Sequence, residues 1–475
     1  MNNTISVKKA ALINALGKYS KILLSLVVTA ILARILSPDD YGIVAVITVF
    51  STFFTTFSDM GFGPAIIQNK ELTKDDINNI YSFTVYISVV LMLIFAICTI
   101  PISLFYGDSV YIPLGLVLSL SLLFNAMNMV PNGILNREKK FVSIAVRTVV
   151  VYIVSAAVSI VLALIGFRYY ALAVQAVLSA LFQFVWNFVT TKPKFRIRFD
   201  FKSIKKVLNY SGFQFAFNMV NYFSRNLDNL LTGKFMGNKE LGYYNKAYTL
   251  MLYPVNNLTG VVSPVLHPIL SDYQDHKEII YQKYMKIVKL LMCLGIYIAP
   301  LCYLGADEII SILYGDNWAQ SVVCFQLLSI AIIPQMINSS AGSIFQAIGN
   351  TKLLFINSCI NTGITVIAIL IGVLYGQSIE FLSAAVSAAY ICHFITAFYM
   401  LIKLGFKFKI ISFLKEIFPE IIILIIMVIS VIFYPFSIEG IWLSVIVKCI
   451  YLGAVFLVCL MITKEYKLFL RLLKK

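Results

Sequence analysis

Fourteen stretches of about 20 or more mostly apolar residues follow one another along this 475-residue chain, and they leave few folds open to it. A helix needs about 20 such residues to cross the hydrocarbon core of a bilayer. The runs lie approximately at 12–36, 42–66, 80–105, 112–135, 143–166, 169–191, 207–235, 241–270, 287–312, 321–348, 353–375, 379–402, 417–435 and 440–462. They are continuous rather than alternating, which excludes an outer-membrane barrel. With 60% hydrophobic and 13% charged residues, the chain is also neither an ordinary soluble enzyme nor disordered. The expectation is an all-α polytopic membrane protein with about 14 transmembrane helices. The connections are short, so any chemistry has to take place inside the helix bundle.

The net charge of +16 would suggest nucleic acid in a soluble protein. Here its distribution gives orientation instead. With the N-terminus placed in the cytoplasm, 30 of the 38 Lys and Arg fall at inner ends and loops, seven of them between Lys192 and Lys206. The outer ends hold four: Arg34, Arg168, Lys234 and Lys239. Arg147, Arg225, Lys246 and Lys448 lie within spans, and Arg147 and Lys448 are near enough to an end to snorkel. One missed helix would scramble this alternation. No nucleic-acid partner is expected, and both termini are expected in the cytoplasm of a bacterial inner membrane. Lys18 and Lys21 inside the first run, with no small-residue cleavage site after it, mark a retained helix rather than a signal peptide. The eight cysteines show no CxxC and no metal spacing, so no metal and no cofactor is expected.

The chain also repeats itself. The end of span 1, Ala33-Arg34-Ile35-Leu36-Ser37-Pro38-Asp39-Asp40-Tyr41-Gly42, corresponds at an offset of 200 to the end of span 7, Gly233-Lys234-Phe235-Met236-Gly237-Asn238-Lys239-Glu240-Leu241-Gly242. Phe105-Tyr106-Gly107-Asp108 after span 3 returns as Leu313-Tyr314-Gly315-Asp316 after span 9. Six helices per copy is an even number, so both copies run the same way and are related by an axis along the membrane normal. This predicts two pseudo-twofold six-helix bundles around a central cavity: lobes over 1–191 and 207–402, a basic linker over 192–206, and spans 13 and 14 with a basic tail over 403–475.

Span 7 carries Gln214, Asn218, Asn221, Arg225, Asp228 and Thr232 at spacings of three and four, one face of a helix. Arg225 sits near mid-span, where a charge is costly unless it is paired or hydrated. Asp228, one turn on, can pair with it. Span 1 presents Asn14, Lys18, Lys21, Ser25 and Thr29 on the matching face. The alternative is that Arg225 and Asp228 form a packing ion pair and that the two lysines snorkel. Cations lining a cavity suit a phosphate or pyrophosphate group, and the amides suit sugar hydroxyls. Asp228 serves equally well as a proton or sodium site. Asp59, Arg34 and Lys234 are further gate or coupling candidates at span ends. Pro254, Pro264 and Pro268 predict bends or broken turns in span 8.

Several segments together resemble a known family. They are Ser58-Asp59-Met60-Gly61-Phe62-Gly63-Pro64-Ala65-Ile66-Ile67-Gln68 followed by Leu72-Thr73-Lys74-Asp75-Asp76, Leu135-Asn136-Arg137-Glu138-Lys139-Lys140-Phe141, Ser224-Arg225-Asn226-Leu227-Asp228-Asn229-Leu230-Leu231, Leu241-Gly242-Tyr243-Tyr244-Asn245-Lys246-Ala247 and Pro264-Val265-Leu266-His267-Pro268-Ile269-Leu270-Ser271. They resemble the Wzx-type oligosaccharide flippases of the multidrug/oligosaccharidyl-lipid/polysaccharide exporter superfamily. The resemblance implies a non-enzymatic flippase. It would move an undecaprenyl-pyrophosphate-linked oligosaccharide by alternating access, for O-antigen, capsule or exopolysaccharide. No GxxxxGK[ST] motif is present, so the expected drive is an ion gradient, with H+ or Na+ as coupling ion, or downstream consumption of the product, with polysaccharide polymerase machinery as a partner. Arg225 and Asp228 match family-typical positions. A drug/cation antiporter of the same superfamily is one rival, although such proteins usually have twelve helices and an acidic cavity. A membrane glycosyltransferase or polymerase is another, for which Asp39-Asp40 would be the acidic pair.

Overall fold

The computed structural model describes residues 7–59, 62–69, 71–208, 212–274 and 276–467. The side chains of 7–15, 59, 64, 68, 205–208, 212–221, 223–224, 261–265 and 267–269 lie outside that description. The described residues contain helices and no strand. Fourteen principal helices account for the fourteen apolar runs. They are α1 Val7–Ile35, α2 Pro38–Asp59, α3 Lys74–Tyr106, α4 Tyr111–Arg137, α5 Phe141–Leu164, α6 Tyr169–Thr191, α7 Gly212–Phe235, α8 Asn238–Ser271, α9 Lys277–Leu304, α10 in two pieces (Gln320–Ser329 and Ile332–Ala347), α11 Thr351–Leu370, α12 Ile379–Tyr399, α13 Phe418–Ile432 and α14 Ile441–Thr463.

Ten of these are long and apolar enough to cross a membrane, and eleven if the two pieces of α10 form one span. The others depart from the rule for visible reasons. The long helices α7 and α8 carry many polar side chains, and α13 has 15 residues. Between its two pieces α10 bends by 51°. Pro334 stands just inside the second piece; it has no N–H for the carbonyl of Ile330, and its ring crowds that carbonyl. By contrast α8, where three prolines predicted breaks, runs as one helix from Asn238 to Ser271.

Local signals set the helix ends. Thr73 and Asp76 form a reciprocal capping box at the start of α3, and Ser37 and Asp40 make the same pair of contacts at the start of α2. The repeated Tyr-Gly-Asp segments are helix stops: Gly107 (φ 74°, ψ 23°) is a left-handed cap, and Gly315 (φ 88°, ψ 178°) also takes a positive φ that a Cβ disfavours.

The chain divides into two compact units, Met1–Gly242 and Tyr243–Lys475. In the first, Ile43, Val46 and Ile47 of α2 pack with Leu91 and Phe95 of α3 and Leu114, Leu118 and Leu122 of α4. Here α1 packs on α5, and α7 packs on α2. The start of α2 also meets the first turn of α8 through a reciprocal contact. A Cβ on Gly42 would lie 1.7 Å from the Asn238 carbonyl oxygen, and a Cβ on Gly242 would lie 1.9 Å from that of Pro38. Residue 38 meets 242 and residue 238 meets 42, the signature of a local twofold axis at the offset of 200 seen in the sequence. In the second unit, α13 and α14 pack on α9, and α14 leaves Trp442, Ile446, Ile450, Leu457 and Ile462 exposed. Such rows of exposed large apolar side chains are a lipid-facing surface.

Candidate functional site

The polar face of α7 changes character along its length. The side chains of Gln214, Asn218 and Asn221 lie outside the described residues, although their backbone is helical. Arg225 is exposed. Asp228 is buried at 3%, and its Oδ1 accepts the Asn229 backbone N–H at 2.8 Å. Asn229 and Thr232 are buried as well. Arg225 and Asp228 therefore differ in exposure. The reason is packing: the later turns of α7 are pressed onto neighbours. Gly233 meets Val46 of α2, and Tyr106 OH donates to the Leu230 carbonyl at 3.0 Å; ahead of Arg225, Tyr222 OH donates to the Val49 carbonyl of α2.

On α1, Lys18 and Lys21 are exposed. Ser25 is half-buried, and its hydroxyl donates to the Ile22 carbonyl at 2.7 Å, so it serves its own helix. Arg34 is exposed and donates to the Ala30 carbonyl at 3.1 Å. Lys234 donates to the Phe105 carbonyl and stands over the Phe105 ring at 4.8 Å, holding the end of α7 to the end of α3. The Asp59 side chain lies outside the described residues.

Two expectations are corrected. Arg147 does not snorkel. It is 6% exposed, and its Nη1 donates to Asn187 Oδ1 at 2.6 Å and to Asn132 Oδ1 at 3.1 Å. Asn187 in turn donates to Asn128 Oδ1 at 2.7 Å, so one cation and three amides tie α4, α5 and α6 together. Lys448 is not snorkelling either: it is ion-paired with Glu308 and donates to the Leu304 carbonyl at 3.0 Å, while Ser444 donates to Glu308 Oε1 at 2.6 Å. A second cluster had no counterpart in the sequence reading. Lys289 of α9 pairs with Glu420 of α13 at 3.2 Å and with Glu465, just beyond α14, at 2.9 Å. A carboxylate at the start of an apolar run was the signal, and its partner lies far away in sequence.

The Asp39-Asp40 pair also has a structural employment. Asp40 is 3% exposed; Oδ2 accepts the Ser37 N–H and hydroxyl, and Oδ1 lies 3.0 Å from Arg168 Nε.

The fold is that of an all-α polytopic membrane protein. It is similar to the lipid II flippase MurJ in an inward closed conformation, with a TM-score of 0.73 at 16% identity over 96% of this chain and 99% of that one. It is also similar to an inward-facing multidrug resistance MATE family transporter of the MOP superfamily, with a TM-score of 0.63 at 15% identity over 80% of this chain and 93% of that one. By sequence, the chain belongs to the polysaccharide biosynthesis protein family, which it matches over residues 31–323. It is 24% identical over 310 residues to the teichuronic acid biosynthesis protein TuaB of Bacillus subtilis (strain 168), a match spanning 62% of each protein. It is 25% identical over 366 residues to the lipopolysaccharide biosynthesis protein WzxC of Escherichia coli (strain K12), covering 74% of this chain and 71% of that one.

Proposed function

We propose that this protein is a flippase that moves a polyprenyl-pyrophosphate-linked oligosaccharide across the cytoplasmic membrane by alternating access, for surface polysaccharide. Four cations fall within the predicted spans, and one observation about them carries the reading. Arg147 is settled on amide oxygens, Lys448 on Glu308, and Lys246 stands over the Tyr314 ring at 5.6 Å. Arg225, on the polar helix α7, is exposed. A guanidinium left open at that depth is suited to the pyrophosphate of a passenger, which it can grip by two parallel charge-assisted hydrogen bonds. Lys18 and Lys21 add positive charge on α1, and Asn218, Asn221 and Gln214 are suited to the sugar. The open charges on these helices are cationic, which favours this passenger over the cationic drug of the antiporter reading. The commitment of Asp40 to a helix cap and to Arg168 speaks against the acidic pair of a glycosyltransferase.

The orientation, with both termini cytoplasmic, rests on the loop charges, and the lobes at 1–191 and 207–402 on the repeat. No nucleotide-binding motif of the GxxxxGK[ST] type occurs in the sequence, so the drive is assigned to an H+ or Na+ gradient, with Asp228 and Asp59 as coupling candidates, or to consumption of the product by a polymerase. Complementation of a flippase-null strain tests the reading. Wild type should restore surface polymer, and Arg225→Ala, at equal membrane level, should not. Full restoration by Arg225→Ala would remove Arg225 from the site, and failure of wild type in the presence of lipid-linked precursor would remove the function.

A further inference from the structure

The basic linker between α6 and α7 has a construction that charge counting does not explain. From Lys194 to Lys202 it alternates strictly: Phe195, Ile197, Phe199 and Phe201 stand at odd positions, with charged residues at the even ones. Period two is the pattern of an extended chain with two unlike faces; the segment is free of helix as far as Asp200, and a short helix, Phe201–Leu208, follows. The backbone of this segment is fastened along the first turns of α3. The Lys194 N–H donates to Asn78 Oδ1 at 2.8 Å, the Arg196 N–H donates to Ser82 Oγ at 2.8 Å, and the Ile197 carbonyl accepts from Tyr86 OH at 3.1 Å. The register is natural: two residues of extended chain advance about 6.6 Å, and the four helical residues from 78 to 82 advance about 6 Å. Phe199 completes the seat against the Phe83 and Tyr86 rings at 5.6 and 5.8 Å.

The outward side chains are unlike in kind and close together. Ile197 is 80% exposed, and Phe195 and Phe201, whose rings lean on Tyr86 and Phe83 of α3 at 5.6 and 5.8 Å, still leave 48% and 59% of their surface open. Lys192, Lys194, Arg198 and Lys202 are exposed too, with no ion pair among the described residues. Arg196 is the exception, paired with Asp75 at 2.6 Å. Large apolar groups gain by leaving water, but the unpaired cations between them exclude a dry protein core and the hydrocarbon interior. Both kinds are satisfied together at the boundary of a bilayer carrying negative headgroups, where rings enter the acyl edge and ammonium and guanidinium groups meet phosphates.

We propose that the strap 192–202, fixed on α3, is a binding surface for anionic phospholipid headgroups of the leaflet where α3 begins and α6 ends. In the orientation given above this is the cytoplasmic leaflet, and the assignment to that side rests on that orientation. The test uses the purified full chain in nanodiscs, with phosphatidylglycerol and phosphatidylcholine as the competing probes and native mass spectrometry as the readout. Wild type should retain phosphatidylglycerol preferentially, and salt should weaken the preference. The combined variant Lys192→Gln/Lys194→Gln/Arg198→Gln/Lys202→Gln should lose at least about tenfold of it, since each cation near such a surface contributes roughly fivefold. Should that variant fail to fold, Lys192→Gln/Lys194→Gln should still show a partial fall. Equal retention of the two lipids by wild type, or an unchanged preference in folded variants, overturns the proposal. So does loss of surface polymer with lipid preference intact, which would assign the cations to an acidic protein partner. Binding is read without any oligosaccharide, so its failure leaves the flippase reading untouched, and the converse holds.

Discussion

The twofold contact between the starts of α2 and α8 can be tested by adding one carbon atom at a time. A Cβ on Gly42 would stand 1.7 Å from the Asn238 carbonyl oxygen, and one on Gly242 1.9 Å from that of Pro38. Real Cβ atoms essentially never come closer than 3.0 Å to such atoms, so either alanine must push two backbones apart by more than about 1 Å. The obstacle is backbone on both sides, not the end of a flexible side chain. The cost should therefore fall at the upper end of overpacking, about 2–3 kcal/mol for Gly42→Ala and the same for Gly242→Ala. Because one displacement makes room for both methyls, the double variant should cost much less than the sum, with a coupling of about 1–2 kcal/mol. Unfolding in mixed micelles, followed by circular dichroism as the denaturing detergent fraction rises, measures all four corners of the cycle. Gly363, helical in α11 with nothing within 4 Å of its Cβ position, is the control; Gly363→Ala should be neutral or stabilising by up to about 1 kcal/mol. Additive penalties at positions 42 and 242, or penalties no larger than the control, would refute the shared crossing.

Three other substitutions separate packing from function. Asp40→Ala removes a helix cap and the partner of Arg168, so it should lower stability by about 1–2 kcal/mol. Surface polymer should then fall only in proportion to protein level; loss of polymer at full protein level would reopen a catalytic role. Lys448→Met leaves Glu308 without its cation and should cost about 3 kcal/mol or more in the same unfolding assay. Adding Glu308→Leu should recover a large part of that, and no recovery would mean that the pair is not the source of the loss. Arg147→Met strands the oxygens of Asn132 and Asn187 and should cost about 2–4 kcal/mol.

The helix inventory was legible in the sequence because it depends on the one property a bilayer tests, a continuous apolar run of sufficient length. The repeat was legible for a related reason: the turn chemistry at Ser37-Pro38 and at Tyr106-Gly107 is local, and second copies stand at offsets of 200 and 208. What periodicity could not supply was the partner of each buried charge. Lys289 finds Glu420 and Glu465 more than 130 residues away, and Arg147 finds amides on two other helices. Periodicity also fixes a face without fixing what covers it. One stripe on α7 is open at Arg225 and closed at Asp228, although Tyr222, three residues before Arg225, already meets α2.

The sign of a stability change can tell a binding cation from a packing one. An unpaired arginine within a span costs at least about 2.5 kcal/mol relative to an apolar residue, and nothing in the empty protein offsets it unless the group meets water or a partner. Arg147 and Lys448 have their partners, so replacing either by an apolar residue loses interactions and should lower stability. Arg225 is exposed; if its partner is a passenger that comes and goes, its guanidinium serves the loaded protein rather than the packing of the empty one. Arg225→Leu should then leave stability unchanged or raise it, by up to about 2 kcal/mol, while abolishing surface polymer, the usual opposition between stability and activity at a working site. The three variants measured side by side in one detergent series give a direct reading. A loss of stability in Arg225→Leu as large as that in Arg147→Met would make Arg225 a third packing cation, and the cationic stripe would lose its claim on the pyrophosphate.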